Sequence, residues 1–231
     1  MTPSTGRTVT ANIALTLDGR HNGPGGPADL SAIVPYATTE VTRDHLDRIR
    51  ENATTALLGR VNAEGSLGYW PAVAADEGAD PRDRGYAKWL VDTEKVVLST
   101  TLTASPWERT RVVDAPAAEV VAELRSRGEG DILVNASPSI TKALLAANLV
   151  DRLYLLICPE IAEGGDRLFD DGLPGSRWRL TRRETGELGE MALVYDRVRR
   201  VQRPRMLIVC GVPEGAIPSS FTDTPLHDHA R

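Results

Sequence analysis

The segment that most constrains the fold is a strand, a turn, a helix and a second strand in unbroken succession. It reads "DILVNASPSITKALLAANLVDRLYLLICPE" and covers residues 131–160. Its two apolar runs are short and continuous, which is typical of strands buried on both faces. Between them, Ile140 and Leu144 recur at helical spacing after a turn of small residues at 135–139. A helix between two buried strands predicts a sheet with parallel neighbours.

The rest of the chain extends this pattern into an α/β fold with a mostly parallel sheet. Helices are predicted at 42–52, with Thr42 as the N-cap, and at 117–126, after Pro116. The last two strands flank "GELGE", which predicts an antiparallel hairpin at the C-terminal end of the sheet. The strands outside the first segment are predicted in "VTANIALTL" (9–17), "TTALLG" (54–59), "KVVLSTTL" (95–102), "TRVV" (110–113), "RWRLTRRET" (177–185) and "MALVYDRV" (191–198).

Two stretches are predicted as loops. Residues 20–37 are rich in Gly, Pro, Ala and Asp, and a loop of this length is more often functional than idle. Residues 62–88 are rich in Gly and Asp, with a short helical pattern only near 86–90.

The 231 residues suffice for one sizeable domain, which we predict at residues 1–198. Residues 199–231 differ in composition and predict a C-terminal extension, with a possible edge strand at Met206–Val212 and a disordered end. His227 and His229 in this extension lack further ligands, so no metal site is predicted.

Charge and cysteine content exclude several classes of protein. A net charge of −5 argues against a nucleic-acid surface. Cys158 and Cys210 fit no disulfide framework or zinc spacing, and Cys158 is predicted to be a buried thiol. The N-terminus has no signal-peptide core, and no apolar run is long enough to cross a membrane. We therefore expect a cytoplasmic protein without nucleic-acid or membrane partners.

The turn after residue 134 is the first candidate site. Ser137 is predicted to cap the following helix, and Pro138 to be its first residue. Free amides at Ser139 and Ile140 would then face an anion at the carboxyl edge of the sheet. The alternative is a capped helix with no ligand.

Two other predicted strands end in residues suited to a phosphate or a ribose. Gly59 permits close approach of a ligand, and Arg60 can bind a phosphate through two hydrogen bonds, although it could equally be an ordinary surface arginine. Ser99 and Thr100 supply hydroxyls, a common feature of strand ends. Three such ends along one sheet edge favour a nucleotide site.

The motifs occur in a specific order over residues 8–198: "TLDGR" (16–20), "LLGRVNAEG" (57–65), "YWP" (69–71), "VVLSTTL" (96–102), "ILVNASPSITKALLAANLVDRLYL" (132–155) and "PEIAEGGDRLF" (159–169). This order resembles the dihydrofolate-reductase-like fold, and in particular the riboflavin-biosynthesis reductase (RibD C-terminal) family. The resemblance implies a three-layer fold, with helices on both faces of the sheet, that binds NADPH and delivers a hydride to a heterocycle.

The resemblance also implies roles for individual residues. The cofactor phosphates would meet Gly59, Arg60 and Asn62, with Arg60 at the 2′-phosphate. The adenosine half would lie against Ser99 and Thr100. The pyrophosphate and nicotinamide would face the turn residues Ala136, Ser137 and Ser139.

On the substrate side, Thr16 and Asp18 would border the pocket beneath a mobile loop at 20–37. Asp18 is the candidate proton relay and Asp29 a second choice, although Asp-Gly after a strand is also a common turn. Tyr69 and Trp70 would stack on a planar substrate or, alternatively, pack a loop against the core or a partner subunit.

This chain departs from the family pattern at the turn. Asn135 occupies the position of an acidic substrate contact, and Ala136 and Ser137 stand where glycines are usual. Asn62 replaces a usual threonine. Because Asn135 can form hydrogen bonds but carries no charge, we expect a substrate other than the riboflavin precursor itself.

The leading hypothesis is an NADPH-dependent reductase of a small heterocycle related to riboflavin precursors, pterins or pyrimidines. By resemblance it is similar to 5-amino-6-(5-phosphoribosylamino)uracil reductase. A homodimer is expected, partly from the resemblance and partly because the apolar stretch 206–212 needs a covering surface. The alternative is a non-catalytic or ligand-sequestering binding protein on the same fold.

Overall fold

A computed structural model describes residues 6–199 of the chain. It contains five α-helices and eight strands within that range. The strands are β1 (Val9–Thr16), β2 (Ala53–Gly59), β3 (Glu94–Leu98), β4 (Thr110–Val113), β5 (Asp131–Asn135), β6 (Arg152–Cys158), β7 (Trp178–Thr185) and β8 (Met191–Arg197). The α-helices are α1 (Glu40–Arg50), α2 (Arg60–Ala75), α3 (Pro81–Asp92), α4 (Ala117–Ser126) and α5 (Pro138–Ala146), and a 3₁₀ turn covers Val34–Tyr36.

All eight strands form one sheet in the order β4-β3-β2-β5-β1-β6-β8-β7. The first six of these run parallel, and β8 and β7 form the antiparallel hairpin at the other end. The predicted α/β class, with its mostly parallel sheet and C-terminal hairpin, is confirmed. As a consequence, the carboxyl ends of six strands meet at one edge of the sheet.

Helices cover both faces of the sheet, which gives three layers. The adjacent residues Leu57 and Leu58 in β2 are both fully buried but belong to different core clusters, because alternate residues of a strand point to opposite faces. Leu57 packs in the cluster that contains α4 and α5, and Leu58 in the cluster that contains α2 and α3. Helix α1 packs beside α3 through Ile49.

The loop prediction for residues 62–88 is wrong, because α2 and α3 occupy nearly all of this stretch. Gly65, Gly68 and Pro71 lie inside α2, where their intrinsic preference opposes a helix. The buried side chain of Leu67 packs in the same cluster as Tyr86 of α3. Tertiary packing of this kind decides helix formation more than propensity does.

Helix α1 begins two residues before the predicted N-cap. Thr39, not Thr42, stands at the N-cap position. Thr42 is buried inside the first turn, and its hydroxyl donates a hydrogen bond to the carbonyl of Tyr36 at 2.7 Å. The helix predicted at 117–126 and the hairpin at the end of the sheet have the predicted bounds to within two residues.

Residues 199–231 fall almost wholly outside the described range, so the predicted domain boundary, the extra strand and the tail histidines stay predictions. In the described part, no helix has the length and apolar character needed to span a membrane. Cys158 is fully buried, and burial raises the pKa of its thiol to about 12.

Candidate functional site

The sheet order brings the three predicted strand ends side by side. Strands β3, β2 and β5 are neighbours, so Ser99, Arg60 and Ala136 each follow the carboxyl end of an adjacent strand. The candidate site therefore lies along one edge of the sheet, where open α/β sheets bind ligands.

A cleft of about 340 Å³ opens at this edge. Arg60, Ser99 and Thr100, which were predicted from separate motifs, all line it. The remaining lining residues are Leu98, Thr101, Val113, Asp114 and Ala115. Asp114 was missed in the sequence, although it directly follows the strand "TRVV" in the same way that the other candidates follow theirs.

Inside this cleft, Arg60 and Ser99 already have local partners. The Arg60 guanidinium forms an ion pair with Glu64 one turn along α2, at 2.9 Å, and its side chain is 42% exposed. The Ser99 hydroxyl oxygen accepts hydrogen bonds from the amides of Thr101 (3.1 Å) and Leu102 (2.9 Å), which fixes the turn after β3. Thr100 is exposed.

A single hydroxyl ties the start of α2 to the start of α5. The Gly59 amide donates to Oγ of Ser137 at 3.0 Å, and that hydroxyl donates to the carbonyl of Asn135 at 2.9 Å. Ser137 stands at the N-cap position of α5 but makes no capping hydrogen bond, so the prediction that its side chain caps the helix is wrong. The amide of Gly59, at the end of β2, donates to the Ser137 oxygen instead.

Neither α2 nor α5 has a side-chain cap at its N-terminus. The first amides of both helices therefore lack side-chain acceptors, and both helix dipoles present their positive ends there. A Cβ placed on Gly59 would lie 3.9 Å from the hydroxyls of Ser137 and Ser139, which shows how closely the two helix starts approach. Ser139 is exposed beside them, and Asn62 is half-buried in the first turn of α2, where it accepts from the Ser66 hydroxyl at 3.4 Å.

The turn keeps a glycine-type backbone although it contains no glycine. Ala136 has a φ of +42°, in the left-handed region that residues other than glycine rarely adopt. Its amide donates to the carbonyl of Asn12 at 2.8 Å, and its methyl group is exposed. The turn geometry is therefore maintained at a cost in backbone strain.

Asn135 is tied into a buried hydrogen-bond network. Its Nδ2 donates to the hydroxyl of Tyr86 at 2.7 Å, and its Oδ1 accepts from Nδ2 of Asn12 at 2.8 Å. Burial raises the pKa of Tyr86, so this phenol stays protonated. Trp70 packs edge-to-face on Tyr86 at 4.7 Å, and Tyr69 on Trp70 at 5.2 Å.

This network joins two of the predicted substrate residues, Asn135 and Trp70, through Tyr86. Trp70 is half-buried and packs against the core cluster that contains Tyr86, whereas Tyr69 is 61% exposed. Tyr86 and Asn12 were missed, because nothing in their local sequence marks them. Only the chain's path brings α3 and β1 to the end of β5.

Asp18 has contacts that argue against a role as proton donor. Its carboxylate accepts from the Thr16 hydroxyl (2.7 Å) and the Ala162 amide (3.1 Å), and it pairs with Nε of Arg20 at 2.7 Å. The Thr16 hydroxyl, together with the Ala162 amide and Arg20, lowers the pKa of Asp18 to about 2. A group this acidic stays ionised at neutral pH and holds two chain segments together instead.

Those two segments are the start of the loop at 20–37 and the stretch that follows β6. The amide of His21 donates to the carbonyl of Asp166 at 3.0 Å, and Arg20 donates to the carbonyl of Gly165. A Cβ on Gly165, whose φ is +103°, would lie 2.1 Å from the carbonyl oxygen of Asn22, so only glycine fits this contact. Asp29, the second candidate acid, accepts from the amides of Gly25 and Ser31 and organises its own loop.

Comparison with known proteins gives one family match. The sequence model of the RibD C-terminal domain matches residues 7–191 of this chain. No curated protein sequence matches it.

Several solved structures share the fold. A candidate riboflavin biosynthesis protein from Shewanella sp. PV-4 is similar over 83% of this chain and 99% of its own, with a TM-score of 0.64 and 17% identity. A pyrimidine reductase-like protein from Corynebacterium diphtheriae NCTC is similar over 84% of this chain and 93% of its own, with a TM-score of 0.60 and 17% identity.

A third structure, from Thermotoga maritima, is a diaminohydroxyphosphoribosylaminopyrimidine deaminase/5-amino-6-(5-phosphoribosylamino)uracil reductase. The similarity covers 84% of this chain and 57% of that one, with a TM-score of 0.57 and 14% identity. At these identities the likeness shows the fold, and the dihydrofolate-reductase-like three-layer fold implied by the motifs is confirmed.

Proposed function

The chain belongs to the RibD C-terminal domain family, and from that premise we propose that it is an NADPH-dependent reductase of a small heterocycle. The observation that carries the proposal is the pair of helix starts joined by Gly59 and Ser137. Helix α2 has 16 residues and α5 has 9, and both begin at the carboxyl edge of the sheet without a side-chain cap. Two such N-termini side by side favour a ligand with two adjacent phosphates.

The residues around this point fit a dinucleotide. Its pyrophosphate would be held by the amides at the start of α2 and α5, with Asn62 and Ser139 beside them. Its adenosine half would lie in the adjoining cleft against Ser99 and Thr100, and Arg60 would leave Glu64 to bind the 2′-phosphate. When bound, NADPH would supply a hydride.

The chain's own residues would orient the partners of that transfer. The network of Asn12, Asn135 and Tyr86 holds the end of β5 rigid beside the predicted nicotinamide wall. Asp18 and Thr16 position the loop that borders the substrate pocket, so we assign Asp18 a positioning role. The exposed ring of Tyr69 supports stacking on a planar substrate, of the pyrimidine or pterin type.

We also propose a homodimer formed through the sheet edge at β7. Within residues 6–199, strand β7 ends the sheet order, and its side chains are exposed or half-buried, among them Leu180 at 43%. Sheet edges of this kind favour association unless another element covers them. Light scattering should give twice the chain mass, and a monomer at micromolar concentration would contradict the proposal.

Direct titration with NADPH tests the function. We expect saturable binding by wild-type protein. Arg60→Ala should weaken NADPH binding by about tenfold to a hundredfold, since a charge-assisted hydrogen bond contributes about 1.5–3 kcal/mol. NADH affinity should change by less than about threefold, because NADH lacks the phosphate that Arg60 binds.

Arg127→Ala is the matched control. Its side chain is 43% exposed and pairs with Glu123 at i,i+4 spacing, but it follows α4 and pairs with Glu94 at the opposite edge of the sheet. It should leave both affinities unchanged. No saturable binding of NADPH up to millimolar concentration would refute the reductase proposal, and binding of a heterocycle by such a protein would favour the ligand-sequestering alternative.

A further inference from the structure

The cleft predicted to hold the adenosine half contains an acidic residue that opposes a 2′-phosphate. Among its lining residues, Arg60 is the one cation and Asp114 the one anion. Arg60 is already paired with Glu64 at 2.9 Å. These three side chains together carry a charge of −1, so the cleft offers no net positive charge from them.

Asp114 is available to a ligand. It is exposed, and its carboxylate has no hydrogen-bond or ion-pair partner among residues 6–199. It follows β4 directly, as Ser99 follows the neighbouring β3, and the two residues line the same cleft. Asp114 therefore lines the same cleft as Ser99, Thr100 and Thr101.

The chemistry of the two nicotinamide dinucleotides differs at this point. NADPH carries a phosphate of nearly two negative charges on the adenosine ribose, and NADH carries a hydroxyl group there. A carboxylate accepts hydrogen bonds from ribose hydroxyls and repels a phosphate. An arginine attracts the phosphate and donates hydrogen bonds to it. This cleft contains one of each.

We propose that Asp114 is a specificity-determining residue that binds the adenosine ribose hydroxyls and brings NADH to within about tenfold of NADPH in affinity. The inference rests on the proposed function, since it takes the cleft to be the adenosine subsite. Repulsion between one charge and about two across a solvated cleft weakens binding by about tenfold. That is comparable to the lower end of the gain expected from Arg60.

The test measures the dissociation constants of NADPH and NADH by nucleotide fluorescence for wild type and variants. Asp114→Asn should tighten NADPH binding by about tenfold and weaken NADH binding by about threefold. Glu64→Gln should tighten the binding of NADPH but not that of NADH, because it releases Arg60 from its ion pair. The gain of Asp114→Asn for NADPH should shrink as salt is raised from 20 to 500 mM, since salt screens exposed charges.

Asp92→Asn is the matched control, because Asp92 is also exposed but ends α3 at the opposite edge of the sheet. It should alter neither constant. If wild type binds neither nucleotide, the proposed function itself fails. If wild type binds NADPH more than a hundredfold tighter than NADH and Asp114→Asn leaves both constants unchanged, the role of Asp114 is refuted while the proposed function stands.

Discussion

Replacing Ser137 by Ala removes the one hydroxyl that joins the ends of β2 and β5. Ser137 is 2% exposed, so water cannot replace its oxygen without a rearrangement. The variant leaves the amide of Gly59 without its acceptor at 3.0 Å and removes the donor to the carbonyl of Asn135 at 2.9 Å. The rest of the turn keeps its contacts.

The magnitude follows from those two hydrogen bonds. Each contributes about 1 kcal/mol net, and a buried donor left without a partner costs about 1–3 kcal/mol. We therefore expect Ser137→Ala to lower the free energy of unfolding by about 2–3 kcal/mol. For a domain of this size, that corresponds to a melting temperature lower by about 4–12 °C.

The same change should weaken cofactor binding. The hydroxyl joins the uncapped starts of α2 and α5, and the proposed pyrophosphate site uses both sets of amides at once. We expect NADPH affinity to fall by about tenfold in Ser137→Ala, measured under conditions where the variant remains folded.

Urea unfolding and NADPH titration check this prediction together. Ser139→Ala is the control, because Ser139 lies in the same turn but is exposed and takes no part in the hydrogen bonds that join Ser137 to Gly59 and Asn135. It should change the free energy of unfolding by less than about 0.5 kcal/mol. If Ser137→Ala is as stable as Ser139→Ala and binds NADPH as wild type does, the Ser137 hydroxyl does not organise the site.

Two further predictions concern the turn and the loop. Ala136→Gly should stabilise the protein by about 0.5–1 kcal/mol, because relief of a left-handed alanine (about 1–2 kcal/mol) exceeds the entropy that glycine adds to the unfolded chain (about 0.4–1 kcal/mol); a lower urea midpoint would contradict it. Asp18→Asn should be less stable than wild type at pH 7. Because the folded pKa of Asp18 is lowered from 3.8 to about 2, that difference should shrink as pH falls from about 4 toward 2, and an equal gap in urea midpoints at pH 7 and pH 3 would refute the assignment.

Much of the fold follows from local sequence patterns. Buried apolar runs alternate with helical spacing, so the strands, the parallel order and the final hairpin are predictable from periods of two and 3.6 residues. The segment 62–88 was not predictable in this way. Its glycines and Pro71 signal a loop, and only packing of α2 against α3 makes it helical.

The site divides along the same line. The sequence by itself determined which residues follow the carboxyl ends of β2, β3 and β5, because parallel strands bring those ends to one edge. Tertiary structure alone decided their partners: Ser137 meets Gly59 across 78 residues of chain, and Asn135 meets Tyr86 across 49. Hydrogen bonds and burial depend on which distant groups the packed chain brings within about 3 Å, and a local pattern carries no information on that distance.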